Sequence, residues 1–298
     1  MVSWFTQRAV GDLRPGDHAW LAYSHPDEQR RVLGDFVYAG LEAGEKVICV
    51  ADTTARDLPG LLSLHRIDAT PFAELGHLTV IPWREACVHD GHGRPDALSR
   101  TLEQEISRAL DQRFRRVRIT ADMTWAAGVP GGDSFMLDCD CEVEALVGPS
   151  TLTTAICQVD RRRCAPEALS ALQNHHEVLV EVNPEYDDGV LRMTRTYAPY
   201  GLRLEGEIDG ARHHALTRTL ASVSDPRDRA AQRIHLELAN LRFMDLVSLN
   251  LLGSHARRLT RGHGLVLDNP SPELESVIEM VGFHRLPGIV KGLGWRRS

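Results

Sequence analysis

The residues best equipped for chemistry are six cysteines and a histidine pair. Cys139 and Cys141 form a C-x-C unit, Cys157 and Cys164 follow, and His175-His176 lies further along, a set of soft donors of the kind that holds zinc. Their spacing argues against it. Structural zinc sites pair C-x2-C units, whereas a C-x-C in the helix expected over Ser134 to Val147 turns its two thiols to different sides. Reduced, mostly buried thiols are the default for so few cysteines in a chain of this length, and neither metal nor cofactor is expected. The run Val117-Arg-Ile-Thr-Ala-Asp122 ends in an acid, where a magnesium-binding carboxylate of a nucleotide-hydrolysing site would stand. The rest of such a site is missing. Where glycines and a lysine would cradle phosphates, after the first long strand, the chain reads Ser24-His25-Pro26-Asp27-Glu28-Gln29, with two acids and neither glycine nor lysine. No G-x-S-x-G elbow marks a hydrolase. No catalytic residue is assigned, and a non-enzyme is expected.

The elements that must position these residues alternate apolar strand-like runs with helical patterns, the rhythm of a parallel sheet covered by helices. Strands are expected at about His18 to Tyr23, Lys46 to Asp52, Leu78 to Trp83, Val117 to Asp122, Leu152 to Val159 and Val178 to Val182. Between them, Leu98, Leu102, Ile106, Leu110 and Phe114 recur every four residues and predict a helix over Asp96 to Phe114. Another helix runs from about Asp27 to Ala43 and closes at Gly44. Asn183-Pro-Glu-Tyr-Asp-Asp-Gly189 joins two turn dipeptides and breaks the rhythm. The expected division is therefore a first domain over 1–185, a linker over 186–200 and a second domain over 201–298. In the second, strands at Leu202 to Glu207, Ile234 to Leu238 and Leu265 to Leu267 alternate with helices at Arg212 to Ser222, Val247 to Leu259 and Glu273 to Val281.

Composition bounds the function. With 298 residues, 43% hydrophobic and 25% charged, the chain has the make-up of two globular α/β domains. Its formal charge of −7 argues against a nucleic-acid partner, since the dense basic runs, Arg113 to Arg118, Arg161 to Arg163 and Arg296-Arg297, are short. No apolar run approaches the ~20 residues of a membrane span. Met1 to Val10 lacks the apolar core of a signal peptide. A cytoplasmic protein without membrane contact is expected.

Five short stretches of the first domain together resemble a known family. Gly16-Asp17-His18 with Gly40-Leu-Glu-Ala-Gly-Glu-Lys-Val47, then Ile119-Thr-Ala-Asp-Met-Thr-Trp125, then Ile156-Cys-Gln-Val-Asp-Arg-Arg-Arg163 followed by His175-His176, are similar to the MEDS domain, a RecA/KaiC-like core with its phosphate loop erased. The resemblance covers about Arg14 to Val182. It implies a mostly parallel sheet with helices on both faces and a role in sensing small molecules, hydrocarbon derivatives among them. In such a sheet the ligand pocket opens at the carboxyl ends of the strands. That places His18, Tyr23, Asp122, Trp125, Gln158 and Asp160 at the site, with His175 or His176 close by, as candidate ligand contacts.

The second domain resembles the STAS domain of anti-sigma factor antagonists. Gly201-Leu-Arg-Leu-Glu-Gly-Glu-Ile-Asp209, Ile234 to Asp245 with its Phe243-Met-Asp245 turn, Gly264-Leu-Val-Leu-Asp-Asn-Pro270 and Leu274 to Val281 carry the likeness. In that family a Ser or Thr after the turn is phosphorylated by a partner kinase, and the following helix forms part of the docking face. Here Leu246 follows Asp245 and Ser248 comes two residues later. Leucine accepts no phosphate, so the usual charge switch is missing at that position. The resemblance makes Asp209, Asp245, Leu246, Ser248 and Leu249 the candidate partner contacts. It implies as partners an anti-sigma factor of the serine-kinase type or other STAS proteins, with a homo-oligomer as a further expectation.

The combined expectation is a signalling regulator in which a ligand of the first domain biases partner binding by the second, with an indirect effect on transcription. Two other readings stand beside it. One is a nucleotide-binding or ATPase-type enzyme in the first domain, and the other is a ligand-free scaffold in a STAS-containing stress-signalling complex.

Overall fold

A computed structural model of the chain describes residues 5–89, 92–127, 131–224, 233–259 and 264–295. Met1 to Trp4 and the basic pair Arg296-Arg297 lie outside these residues. The chain divides into two compact units, Met1–Asn183 and Pro184–Ser298.

In the first unit β1 (Thr6–Ala9), β2 (His18–Tyr23), α1 (Pro26–Glu42), β3 (Lys46–Val50), α2 (Thr70–Glu74), β4 (Leu78–Ile81) and α3 (Trp83–Cys87) are followed by the short pair β5 (Val88–His89) and β6 (His92–Gly93). Then come α4 (Pro95–Asp111), β7 (Val117–Asp122), α5 (Gly132–Val147), β8 (Thr153–Asp160), α6 (Pro166–His175) and β9 (Val178–Glu181). Seven strands form one sheet in the order β1-β9-β2-β8-β7-β3-β4, every pair parallel. Each strand expected in this region is present. The edge strand β1 was not expected, because Thr6-Gln-Arg-Ala9 has no apolar alternation and its first two residues are exposed.

Both faces of the sheet are covered, so its central strands are buried throughout. In β3 all five residues are buried. Alternation assigns Ile48 and Val50 to a core shared with Leu98 and Leu102 of α4 and Met136 and Val143 of α5. Val47 and Cys49 point the other way, into a core with Val37 and Leu41 of α1 and with Leu58 and Leu61. The apolar stripe of α4 differs from the expected one. Leu98 and Leu102 are buried, but Ala109 takes the next place and Leu110 is exposed, because strict i+4 spacing drifts about 40° per step around a 3.6-residue helix.

Helix α1 begins where His25 Nδ1 accepts from the Asp27 amide at 3.1 Å, with Pro26 in its first turn. It closes at Gly44, which has φ +68°. The loop after β3 is held against α1 by Gly60, which has φ +85° and lies so close to Gly34 that a Cβ would collide with the Arg30 carbonyl.

In the second unit β10 (Tyr186–Asp187), β11 (Leu191–Tyr197) and β12 (Tyr200–Ile208) are antiparallel neighbours. They lead to α7 (His213–Val223), β13 (Ile234–Glu237), β14 (Leu241–Met244), α8 (Leu246–Arg258), β15 (Leu265–Asp268), α9 (Pro272–Met280) and β16 (Ile289–Lys291). The sheet runs β10-β11-β12-β13-β15-β16, with β14 paired to the far half of β12. Segment 186–200, expected as a linker, instead carries β10 and β11. Leu191 and Met193 of β11 are fully buried in the core of the second unit with Leu202, Leu204, Leu236 and Leu267. Apolar burial therefore makes this hairpin part of the fold. No helix among the described residues is long and apolar enough to cross a membrane.

Candidate functional site

A cavity of about 360 Å³ opens at the carboxyl ends of β2, β3, β7 and β8. Strand parity decides which strand residues reach it. On β2, Tyr23 points to the α1 side; on β7, Thr120 and Asp122 do so; on β8, Gln158 and Asp160 do so, and all five line the cavity. Trp125, in the turn after β7, lines it as well. Sequence reasoning missed other polar and aromatic contributors, among them Gln29 in the first turns of α1, Asp52, Thr120, Thr124, Arg163, and Trp83 at the start of α3. Trp83 and Trp125 stack with centroids 3.9 Å apart and planes within 3°, forming a rigid aromatic wall.

The polar side is a connected network. Gln29 Nε2 donates to Gln158 Oε1 at 2.8 Å and to Asp122 Oδ2 at 3.4 Å. Gln158 Nε2 donates to Thr120 Oγ1 at 3.1 Å, which extends the network to β7. Asp122 Oδ1 accepts from the Thr124 amide at 2.9 Å. Burial raises the Asp122 pKa above the usual carboxylate value, against the opposing bonds from Thr124 and Gln29. Burial and the nearby Asp122 push the Tyr23 phenol up to about 12, so it remains a neutral hydroxyl. Asp160 is held below its ordinary range by the Arg162 guanidinium, which bonds both carboxylate oxygens at 2.8 and 2.6 Å. Three acids, Asp52, Asp122 and Asp160, face one lining guanidinium, Arg163.

At the start of α1, where a phosphate loop would present its amides, the chain supplies its own acid. Glu28 Oε2 accepts from the Ser24 amide at 2.8 Å and from the Ser24 hydroxyl at 3.0 Å. Together with the His25 cap, this fills the position that favours an anion at a helix N-terminus.

The expected histidines lie elsewhere. His18 is on the opposite face of β2 from Tyr23, buried with His176 at a ring-centroid distance of 4.3 Å. Burial disfavours charge on His18, but Cys157, Asp140 and Glu144 outweigh it and raise its pKa well above the ordinary value. His175 is on the outside, its Nε2 3.3 Å from Cys141 Sγ. His18, His175 and His176 are thus not among the residues lining the cavity, because an odd number of strand positions separates His18 from Tyr23 and reverses its side chain. The C-x-C unit splits as expected, with Cys139 buried and Cys141 partly exposed.

In the second unit Asp245 caps α8. Its Oδ1 accepts from the Ser248 amide at 2.7 Å and both its oxygens lie 3.0 Å from His213 Nε2. Burial pushes its pKa up, but these hydrogen bonds prevail and hold it below the ordinary value. Asp209 caps the turn before α7, accepting from the Ala211 amide at 3.1 Å and from Arg212 at 2.8 Å. Leu246 is 58% exposed, and Phe243 and Val247 near it in sequence are exposed too. Two candidates are corrected. Ser248 is 0% exposed, and Leu249 is buried in the core with Leu252, because positions two and three residues past Leu246 turn the α8 surface about 200° and 300° towards the sheet.

Comparison with known proteins agrees with this division. Residues 17–177 match the MEDS family, the methanogen/methylotroph DcmR sensory domain, and residues 191–291 match the Mlab-type STAS domain. No curated protein matches the chain. Among solved structures, a KaiC-like protein from the hyperthermophilic archaeon Pyrococcus horikoshii OT3 is similar at a TM-score of 0.42 and 14% identity, over 62% of this chain and 80% of its own. Family match and all-parallel sheet together assign the chain to the MEDS family of sensory domains, with a STAS domain following in the same chain.

Proposed function

We propose that this chain is a cytoplasmic signalling regulator without enzymatic activity. A small uncharged organic molecule binds in the cavity of the first unit, and the STAS domain acts by binding a partner protein. The observation that carries the ligand class is the lining itself: stacked indoles on one side and an amide network on the other, with acids in excess of cations. Such a lining suits a compact molecule with an apolar body and one or two hydrogen-bonding groups. It opposes a polyphosphate, whose charges would meet Asp52, Asp122 and Asp160, and whose usual anchor is filled by Glu28. The one thiol lining the cavity, Cys49, is pushed by burial up to about 12 and is a poor nucleophile.

For the second unit, the capped start of α8 with Phe243, Leu246 and Val247 exposed supports an apolar docking face. An anti-sigma factor of the serine-kinase type or another STAS domain is the partner class, and no phosphate switch operates at Leu246 or Ser248. Native mass spectrometry of the purified full chain tests the ligand half. A small molecule that co-purifies with the wild type and is absent from folded Gln29→Ala and Trp125→Ala variants supports the reading. Stoichiometric retention of a nucleotide would favour the ATPase-type alternative.

A further inference from the structure

On the face of the sheet opposite the cavity, four donor side chains converge: His18 of β2, Asp140 of α5, Cys157 of β8 and His176 at the end of α6. All four are buried, and one ligand atom from each lies within 4.8 Å of every other. We propose that these four residues bind one divalent transition-metal ion of the zinc type in a closed, four-coordinate site.

The distances suit that ion. Donors at about 2.0–2.1 Å for nitrogen and oxygen and about 2.3 Å for sulfur stand roughly 3.3–3.6 Å apart around a tetrahedral centre. His18 Nε2 and His176 Nε2 are 3.3 Å apart. Asp140 Oδ1 is 3.4 Å from the first and 3.3 Å from the second. The fourth measured edge, His18 Nε2 to Cys157 Sγ, is 3.1 Å and opens slightly on binding.

The outer contacts orient both imidazoles for the task. His176 Nδ1 lies 2.8 Å from the Leu172 carbonyl, which can only accept, so this nitrogen carries a proton. His18 Nδ1 lies 2.8 Å from Glu144 Oε2 and donates to that carboxylate. Each ring therefore turns its Nε2 lone pair inward, the arrangement by which a carboxylate or carbonyl fixes a ligating histidine. Without an ion, the two Nε2 atoms, the thiol and the carboxylate compete for too few protons. Asp140 shows this most plainly: both its oxygens are buried and neither has a hydrogen-bond partner among the described residues. The imidazole Nε2 atoms of His18 and His176, 3.4 and 3.3 Å from Oδ1, partly offset its charge, and a bound divalent cation supplies the full counter-charge that such burial demands. On uptake the proton shared at the Nε2 atoms and the Cys157 thiol proton leave to solvent, and two nitrogens, one oxygen and one sulfur take the ion.

The donor set selects the metal class. A thiolate with two imidazoles excludes calcium and magnesium, which take oxygen ligands, and suits zinc or its neighbours in the first transition row. Four protein ligands and full burial leave no open position, so the ion acts as a staple that ties β2 and β8 to α5 and α6. Cys157 precedes Gln158 on β8, so the staple also anchors the strand from which Gln158 reaches the cavity.

The full chain, expressed in zinc-supplemented medium and purified without chelator, is analysed for metals by inductively coupled plasma mass spectrometry. About one equivalent of a first-row transition metal per chain is expected. Cobalt(II) loaded into chelator-stripped protein should give tetrahedral d–d bands and a thiolate charge-transfer band. Cys157→Ser should abolish the charge-transfer band, and Glu144→Gln, acting through His18, should weaken cobalt binding by about 10–100-fold. Cys141→Ser and His175→Ala serve as controls and should leave both signals unchanged. Circular dichroism establishes that each variant is folded. Folded wild type that retains only a trace of metal after incubation with zinc or cobalt and gel filtration overturns the proposal. So does a charge-transfer band that survives Cys157→Ser.

Discussion

Asp122 sits where the cavity network meets burial, and its raised pKa has a definite sign for stability. An acid whose folded pKa exceeds its unfolded value of 3.8 weakens the fold as pH rises above that value, and the penalty is complete above the folded pKa. Asp122→Asn keeps an oxygen for the Thr124 amide and removes the charge. It should raise Tm at pH 7 to the extent that relief of the buried charge exceeds loss of the long 3.4 Å bond from Gln29, and the gain should vanish below about pH 3.8. Thermal melts at several pH values read this directly, and an equal gain at acid pH would remove the electrostatic cause. Ser248 gives a second prediction of the same scale. Its hydroxyl is buried without a hydrogen-bond partner among the described residues, so Ser248→Ala should be neutral or stabilising by up to about 1 kcal/mol in denaturant melts. Phosphopeptide mapping after incubation with a STAS kinase should find no phosphate at that residue.

Helix α8 places two leucines three residues apart in opposite roles. Leu249→Ala removes a buried side chain and should cost about 2–5 kcal/mol by denaturant unfolding. Leu246→Asp alters an exposed position in the first turn, where an acid is tolerated or favoured by the helix dipole, and should change stability by under about 0.5 kcal/mol. The same variant should lose capture of the partner in pull-downs from native cells. Retention of the partner by Leu246→Asp would move the docking face elsewhere.

Strands were the most legible elements. Runs such as Lys46-Val-Ile-Cys-Val50 are apolar because both faces are covered, and such runs stand out in any order of reading. The period of two within them separates Cys157 from Gln158 and His18 from Tyr23, although both His18 and Tyr23 were expected at the cavity. What sequence did not carry was the rotation of α5 against the sheet. That rotation brings Asp140 and Glu144, one helical turn apart, to His18 from more than a hundred positions away. The hairpin of β10 and β11 was obscured for another reason: Leu191-Arg-Met-Thr-Arg-Thr-Tyr197 alternates weakly and follows a turn-rich stretch, so its burial depends on β12 beside it.

At the scale of the whole molecule, a sensory domain and a STAS domain share one chain. In the first unit Glu28 binds the Ser24 amide and hydroxyl at the start of α1, and in the second Leu246 stands exposed at the start of α8. The proposed role rests on a cavity suited to an uncharged organic ligand. Its most direct test is a thermal-shift titration of the full chain with magnesium-ATP and, separately, with a panel of small alcohols, amides and halogenated hydrocarbons. A ligand at 100 times its Kd adds about 2.7 kcal/mol to stability. A saturable rise in Tm with at least one uncharged compound, lost in Gln29→Ala, is expected, and none with magnesium-ATP. A saturable rise with magnesium-ATP and none with any uncharged compound would contradict it.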